Sequence, residues 1–169
     1  MTRILVTERL FLREFNLTDT EFILQLLNTP GWLEFIGDRN VKTTEAAKSY
    51  LENGPIKSYE LNGFGLSLVG LKDNELPIGM CGLIKRETLE NVDIGFAFLP
   101  EYSGEGYAVE IASATMKYAK EKLKLKEILA ITLPSNVRSI NLLNKIGLYF
   151  EKNIHLPGDE QKLMLFKSK

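Results

Sequence analysis

Hydrophobic positions along this chain change period several times, and each change marks an element. Residues 5–15 alternate in part, with Leu10 and Leu12 set against Arg9 and Arg13, which predicts a strand. Thr18, Asp19, Thr20 and Glu21 offer cap residues. Phe22, Ile23, Leu26 and Leu27 then recur at helical spacing until Pro30-Gly31. A second helix is predicted from Thr43 through Ala47, Tyr50 and Leu51, stopped by Asn53-Gly54-Pro55. Residues 63–71, 78–85 and 92–99 read as three strands joined by polar turns, an antiparallel meander. From Glu105 the set Ala108, Ile111, Ala112, Thr115, Ala119 and Leu123 follows the i, i+3, i+4, i+7 rule of a long helix. Residues 127–133 form a β-rich run, 136–145 a short helix ended by Gly147, and 148–154 and 163–166 two closing strands.

That order predicts an α/β (α+β) domain over residues 1–169, with a mixed central sheet of about seven strands and helices on both faces. The passage from Val92 to Leu133 is expected to be a right-handed parallel crossover.

Composition narrows the class little further. At 169 residues, 44% hydrophobic and 25% charged, the chain suits one soluble globular domain. A net charge of -1 gives no general argument for nucleic acid or an anionic membrane. The single cysteine, Cys81, excludes an internal disulfide and points to a cytoplasmic setting. Charges interrupt the first fifteen residues too often for a signal peptide, and no apolar run approaches the roughly 18 residues of a membrane span. His155, the one histidine, has no metal-ligand partner pattern, so no metal site is expected. Cys81 reads as a buried small side chain.

The stretch Pro100-Glu101-Tyr102-Ser103-Gly104-Glu105-Gly106-Tyr107-Ala108 places two glycines between a strand and a helix. Glycine there costs backbone entropy and packs nothing. Either the pair only makes a turn, or it lets an anion approach the unpaired N–H groups and the positive dipole end of the helix. Two other phosphate loops are excluded. No Gly-x-x-x-x-Gly-Lys-Ser/Thr occurs, and Val109 stands where a dinucleotide fingerprint needs its third glycine.

Residues 101–108 resemble the pyrophosphate loop of the GNAT superfamily of acyl-CoA-dependent N-acetyltransferases, Gln/Arg-x-x-Gly-x-Gly/Ala, with Glu101 departing at its first position. Asn136-x-x-Ser139-x-x-Leu142-x-x-Lys145-x-Gly147-Leu148 resembles the helix and strand that close the same cofactor site. Thr7-Glu8-Arg9-Leu10-x-Leu12-Arg13 resembles the opening strand of the branch that acetylates N-terminal alanine or serine of ribosomal proteins. The three pieces together cover essentially the whole chain.

The resemblance implies a GNAT-like fold and acetyl-CoA (coenzyme A) as cofactor. Its diphosphate would lie on Ser103, Gly104, Glu105, Gly106, Tyr107 and Ala108. Its pantetheine arm would run along the strand that ends at Phe98 and Leu99, with Asn136 facing it. Acetyl transfer needs a base for the amine and a donor for the departing thiolate. Asp93 is the first candidate base, or else a strand carboxylate facing solvent; Glu8, Glu14, Glu34 and Glu101 are weaker ones. Many relatives carry a tyrosine acid in the closing helix. Leu143 stands there, and Ser139, one turn earlier, matches a serine proposed for that role in the ribosomal-protein branch. Trp32 and Phe35 either wall an acceptor pocket or belong to the core. The acceptor is a primary amine: a protein N-terminus, or a small molecule such as a polyamine, amino acid or antibiotic. A non-catalytic acyl-CoA-binding module is the alternative. No nucleic-acid or membrane partner is expected, and the chain is a monomer or homodimer.

Overall fold

The computed structural model describes residues 2–169. The chain opens with strands β1 (Arg3–Val6) and β2 (Leu10–Arg13), then helices α1 (Thr20–Leu26), α2 (Pro30–Phe35), α3 (Thr44–Leu51) and α4 (Lys57–Asn62). Strands β3 (Leu66–Leu71), β4 (Pro77–Ile84) and β5 (Asp93–Phe98) follow. The chain closes with α5 (Tyr107–Glu121), β6 (Leu129–Thr132), α6 (Val137–Lys145), β7 (Leu148–Ile154) and β8 (Leu163–Ser168).

The described strands form one eight-stranded sheet in the order β1-β2-β3-β4-β5-β6-β8-β7. The mixed α/β class holds, with one strand more than the seven expected. The opening strand is a hairpin: Thr7 turns the chain, its N–H donating to the Leu10 carbonyl at 2.8 Å. Neighbouring strands are antiparallel everywhere except β5 and β6, which are parallel as the crossover required.

The sheet carries a core on each face. Leu10, Leu12, Cys81, Leu83, Ile94 and Ala130 pack with Ile111, Ala112, Met116 and Ala119 of α5 and Leu142 and Leu143 of α6. Phe11, Leu68, Met80 and Leu99 pack instead with Ile23, Leu26, Trp32, Ala47 and Leu51 from the α1–α3 side. Phe11 lies between two residues of the opposite core, because successive strand side chains point to opposite faces.

Two helix boundaries differ from the reading of the sequence. Pro30 starts α2 rather than only ending α1, because proline at the first helical position loses no hydrogen bond. Asn53-Gly54-Pro55 does not stop the second helix. The chain passes through one wide π-type turn, Glu52–Ile56, which accommodates Pro55, and continues as α4 to Gly63. Gly63, at φ 78°, is the actual stop. Among the described residues no helix is long and apolar enough to cross a membrane.

Candidate functional site

The site starts from a failure of pairing. β4 and β5 match over six residue pairs, from Gly79↔Phe98 to Ile84↔Asp93. β5 and β6 match at one, Asp93↔Leu129, beside the Leu129 N–H to Val92 carbonyl bond of 2.8 Å. Beyond it the two parallel strands splay. One main-chain edge of residues 94–98 therefore lacks a strand partner, and buried main chain needs one. A cavity of about 450 Å³ fills the gap, lined by both strands and by Trp32, Asn136, Ser139 and Leu143 among others.

At the carboxyl end of β5 the chain makes one short helical turn, Pro100–Tyr102, and reaches the glycines. Gly104 (φ 80°) and Gly106 (φ 81°) both adopt left-handed backbone, which explains the choice of glycine. A Cβ on Gly104 would meet nothing within 4 Å, so the surface over it is open. No side chain caps α5. The N–H groups of residues 104–109 have no protein acceptor among the described residues, while the Ser103 N–H already donates to the Pro100 carbonyl at 3.1 Å. The result is a bare, electropositive helix start at the mouth of the cleft, the arrangement that suits a diphosphate.

A clamp holds this loop in place. Arg9 Nε donates to Glu110 Oε2 at 2.7 Å, and an Arg9 Nη donates to the Glu105 carbonyl at 3.0 Å. The Arg9 guanidinium lies 4.4 Å from the Tyr107 ring centre. The Thr7 hydroxyl and the Arg9 N–H both donate to Glu110 Oε1, at 2.6 and 2.8 Å. Burial pushes the Glu110 carboxyl up, but these donors outweigh it and hold it below its ordinary range. Sequence reasoning missed Glu110; its signal was the Thr7-x-Arg9 pair, whose partner lies about a hundred residues away.

Asp93 sits at the closed end of the splay, roughly 16 Å of strand from Phe98. It is 1% exposed and accepts from Arg86 Nε at 3.0 Å. The solvent-facing alternative is thereby excluded. Burial pushes its pKa up to about 6, against the pull of the Arg86 charge and hydrogen bond. Ser139, on the first turn of α6, is 9% exposed. Its N–H donates to Asn136 Oδ1 at 3.2 Å, so Asn136 caps the helix. The Ser139 hydroxyl has no hydrogen-bond partner among the described residues.

Asp93, Phe98, Asn136, Ser139, Trp32 and Phe35 all line the cavity. The loop residues 103–108 lie at its mouth rather than in its wall. Leu99 is turned into the core on the α1–α3 side, and its N–H and carbonyl are taken by Ile78 and Tyr102. It is a packing residue and has no free group toward the cleft. Glu8, Glu14, Glu34 and Glu101 are exposed and do not line the cavity. Leu143 is buried and lines the cavity, so no phenol stands at that position. Cys81 is fully buried beside Thr115, its thiol pushed up to about 12 by burial, and is no nucleophile. His155 is exposed and outside the cavity wall.

Comparison with known proteins agrees with this geometry. The model of the acetyltransferase (GNAT) domain matches residues 9–149. The uncharacterised N-acetyltransferase YnaD of Bacillus subtilis (strain 168) is 29% identical over 154 residues, covering 89% of this chain and 87% of YnaD. An acetyltransferase of the GNAT family from Bacillus anthracis superimposes with a TM-score of 0.80 at 25% identity, over 98% of this chain and 97% of its own. Ribosomal-protein-S5-alanine acetyltransferase from Vibrio fischeri shares the fold, with a TM-score of 0.79 at 18% identity over 99% of this chain and 96% of its own. The splayed strands, the Gly-x-Gly helix start and the matched domain lead to one conclusion: this chain belongs to the GNAT acetyltransferase family, whose cofactor is acetyl-CoA.

Proposed function

We propose that residues 1–169 form one acetyl-CoA-dependent N-acetyltransferase domain that acetylates a primary amine in the cytoplasm. The observation that carries the proposal is the single pairing between β5 and β6. It leaves a cleft with a bare helix start at its mouth and a buried carboxylate at its closed end.

Acetyl-CoA supplies the acetyl thioester, and the cleft fits it. The N–H groups of residues 104–108 would hold the diphosphate. The unpaired edge of residues 94–98 would hold the amide-bearing arm as an added strand does. Asn136 lines the same cavity, and its Nδ2 has no partner among the described residues. Asp93 is the general base. A primary amine is protonated at neutral pH and must lose a proton before it attacks. A carboxyl with a pKa about 6 is largely ionised at pH 7 and still basic enough to accept that proton. Arg86 keeps the carboxylate oriented through Oδ1. The Ser139 hydroxyl donates to the departing sulfur, in the place where Leu143 offers no phenol. The buried Trp32 and Met80 and the half-buried Phe96 line the cavity and limit water at the reacting atoms.

The test is thiol release from acetyl-CoA in the presence of primary amines. Asp93→Asn and Ser139→Ala should bind acetyl-CoA as the wild type does and turn over more slowly. Wild-type turnover in Asp93→Asn would remove Asp93 from the chemistry. Cofactor binding with no acetylation of any primary amine would leave the binding-module reading in its place.

A further inference from the structure

A second cavity, of about 380 Å³, lies behind the wall of the first. It is bounded by α3, the wide turn Glu52–Ile56 and α4 on one side and by β3 and β4 on the other. Tyr50, Leu66 and Ile84, each half-buried, line both cavities, so these three side chains stand between them.

The strand register carries this wall to the closed end of the cleft. Ile84 is the cross-strand partner of Asp93, and directly opposed residues point to the same face of a sheet. Ile84 Cδ1 and Leu66 Cδ2 lie 3.0 and 3.5 Å from the point where a Cβ on Gly95 would stand. Both tips therefore cover Gly95, which shares that face with Asp93 two residues earlier.

Three features mark the second cavity as a binding site. Its volume lies in the roughly 300–1,000 Å³ range of small-molecule sites. The turn on its rim is π-type, a rare form that recurs at functional sites. Its charges are of one sign. Lys57 and Lys85 line it, no carboxylate does, and neither lysine makes an ion pair or hydrogen bond with any described residue. The rest of the wall is largely apolar, with Pro55, Leu61 and Leu83 beside the shared side chains.

We propose, resting on the N-acetyltransferase reading above, that the second cavity holds the body of the acceptor while the acetyl-CoA arm fills the first. The acceptor is then a small primary amine with an apolar body and no second positive charge, its amino group reaching Asp93 past Tyr50 and Ile84. A polyamine would bring its second ammonium against two unpaired lysines with no carboxylate in that wall to meet it.

The test is thiol release from acetyl-CoA with 2-phenylethylamine, spermidine and an alanine-initiated octapeptide, alongside thermal unfolding with acetyl-CoA. The expected result is 2-phenylethylamine acetylated with a kcat/KM at least about tenfold above spermidine and the peptide. The double variant Lys57→Glu with Lys85→Glu, both exposed positions, should narrow the ratio to spermidine at least about tenfold with KM for acetyl-CoA unchanged. Leu61→Trp, exposed on the rim, should raise KM for 2-phenylethylamine and leave KM for acetyl-CoA alone. An unchanged ratio in the double variant, or an unchanged amine KM in Leu61→Trp, would overturn the proposal. So would a preference for the peptide or for spermidine, the latter placing the acceptor beside Asp159 of the first cavity instead. No turnover of 2-phenylethylamine while acetyl-CoA still stabilises the protein would overturn it too and leave the cofactor site standing. No stabilisation by acetyl-CoA would instead overturn the acetyltransferase reading beneath it.

Discussion

The two ends of the cleft are built from different materials. The mouth is made of main chain: the left-handed glycines Gly104 and Gly106 and the uncapped start of α5, held by Arg9 and Glu110. The closed end holds Asp93 of β5 with its partner Arg86, and the rest of the cavity wall is made of side chains from separate elements, among them Trp32 from α2, Tyr50 from α3 and Arg39 from a connecting segment. A main-chain site recognises any diphosphate and is insensitive to most side-chain changes. A side-chain site sets which acceptor reacts and is sensitive to each one. Substitutions at the closed end should therefore act on turnover and selectivity, and those at the mouth on cofactor affinity.

The largest effect is expected from Asp93→Asn. Removing a general base should lower kcat about 10²–10⁴-fold and abolish the rise of kcat/KM with pH through about 6, read by thiol release. The same carboxyl should act on stability with the opposite sign. Its folded pKa lies above its unfolded value, so folding takes up a proton. Its contribution is fully present below about pH 4 and is lost as pH rises through about 6. Compared with Asp93→Asn, the wild type should lose on the order of 3 kcal/mol between pH 4 and 7, measured by denaturant unfolding.

Ser139→Ala comes next. A thiol leaves as a thiolate with little help near neutral pH, so a loss of about tenfold in kcat with unchanged acetyl-CoA affinity is expected. If Ser139 only packs against the cofactor, KM for acetyl-CoA would rise and kcat would hold. The smallest effect is expected from Glu110→Ala. It removes the acceptor of Thr7 and Arg9 and should cost about 1–2 kcal/mol of stability, with KM for acetyl-CoA raised a few-fold and kcat unchanged.

The same contrast explains what the sequence revealed. The mouth was legible because glycine spacing, strand end and helix start are neighbours along the chain. The meander, the crossover and α5 were legible because their apolar periods are long and regular. The opening hairpin was not, since β2 is apolar on both faces and its turn carries no glycine. Pro30 and Pro55 misled because proline's effect depends on its place in a helix, which the pattern does not state. Asp93 was legible as a strand carboxylate, but its burial and its Arg86 partner were not. Trp32, Arg39 and Tyr50 come to line one cavity with Asp93 only after the sheet has formed, and no spacing along the chain announces it.

Thermal unfolding of the wild type and of Gly106→Trp, each with and without acetyl-CoA, tests the central claim most directly. Ligand at about a hundred times its dissociation constant stabilises the native state by roughly 2.7 kcal/mol, a rise on the order of 5–10 °C for a domain of this size. At Gly106 the backbone has φ 81°, and an added Cβ lies 3.4 Å from an Arg9 nitrogen, so the indole strains the turn and covers the helix start. The account expects the wild type to show this rise and Gly106→Trp to stay folded without it. An equal rise in both proteins, or none in the wild type at saturating acetyl-CoA, would contradict it.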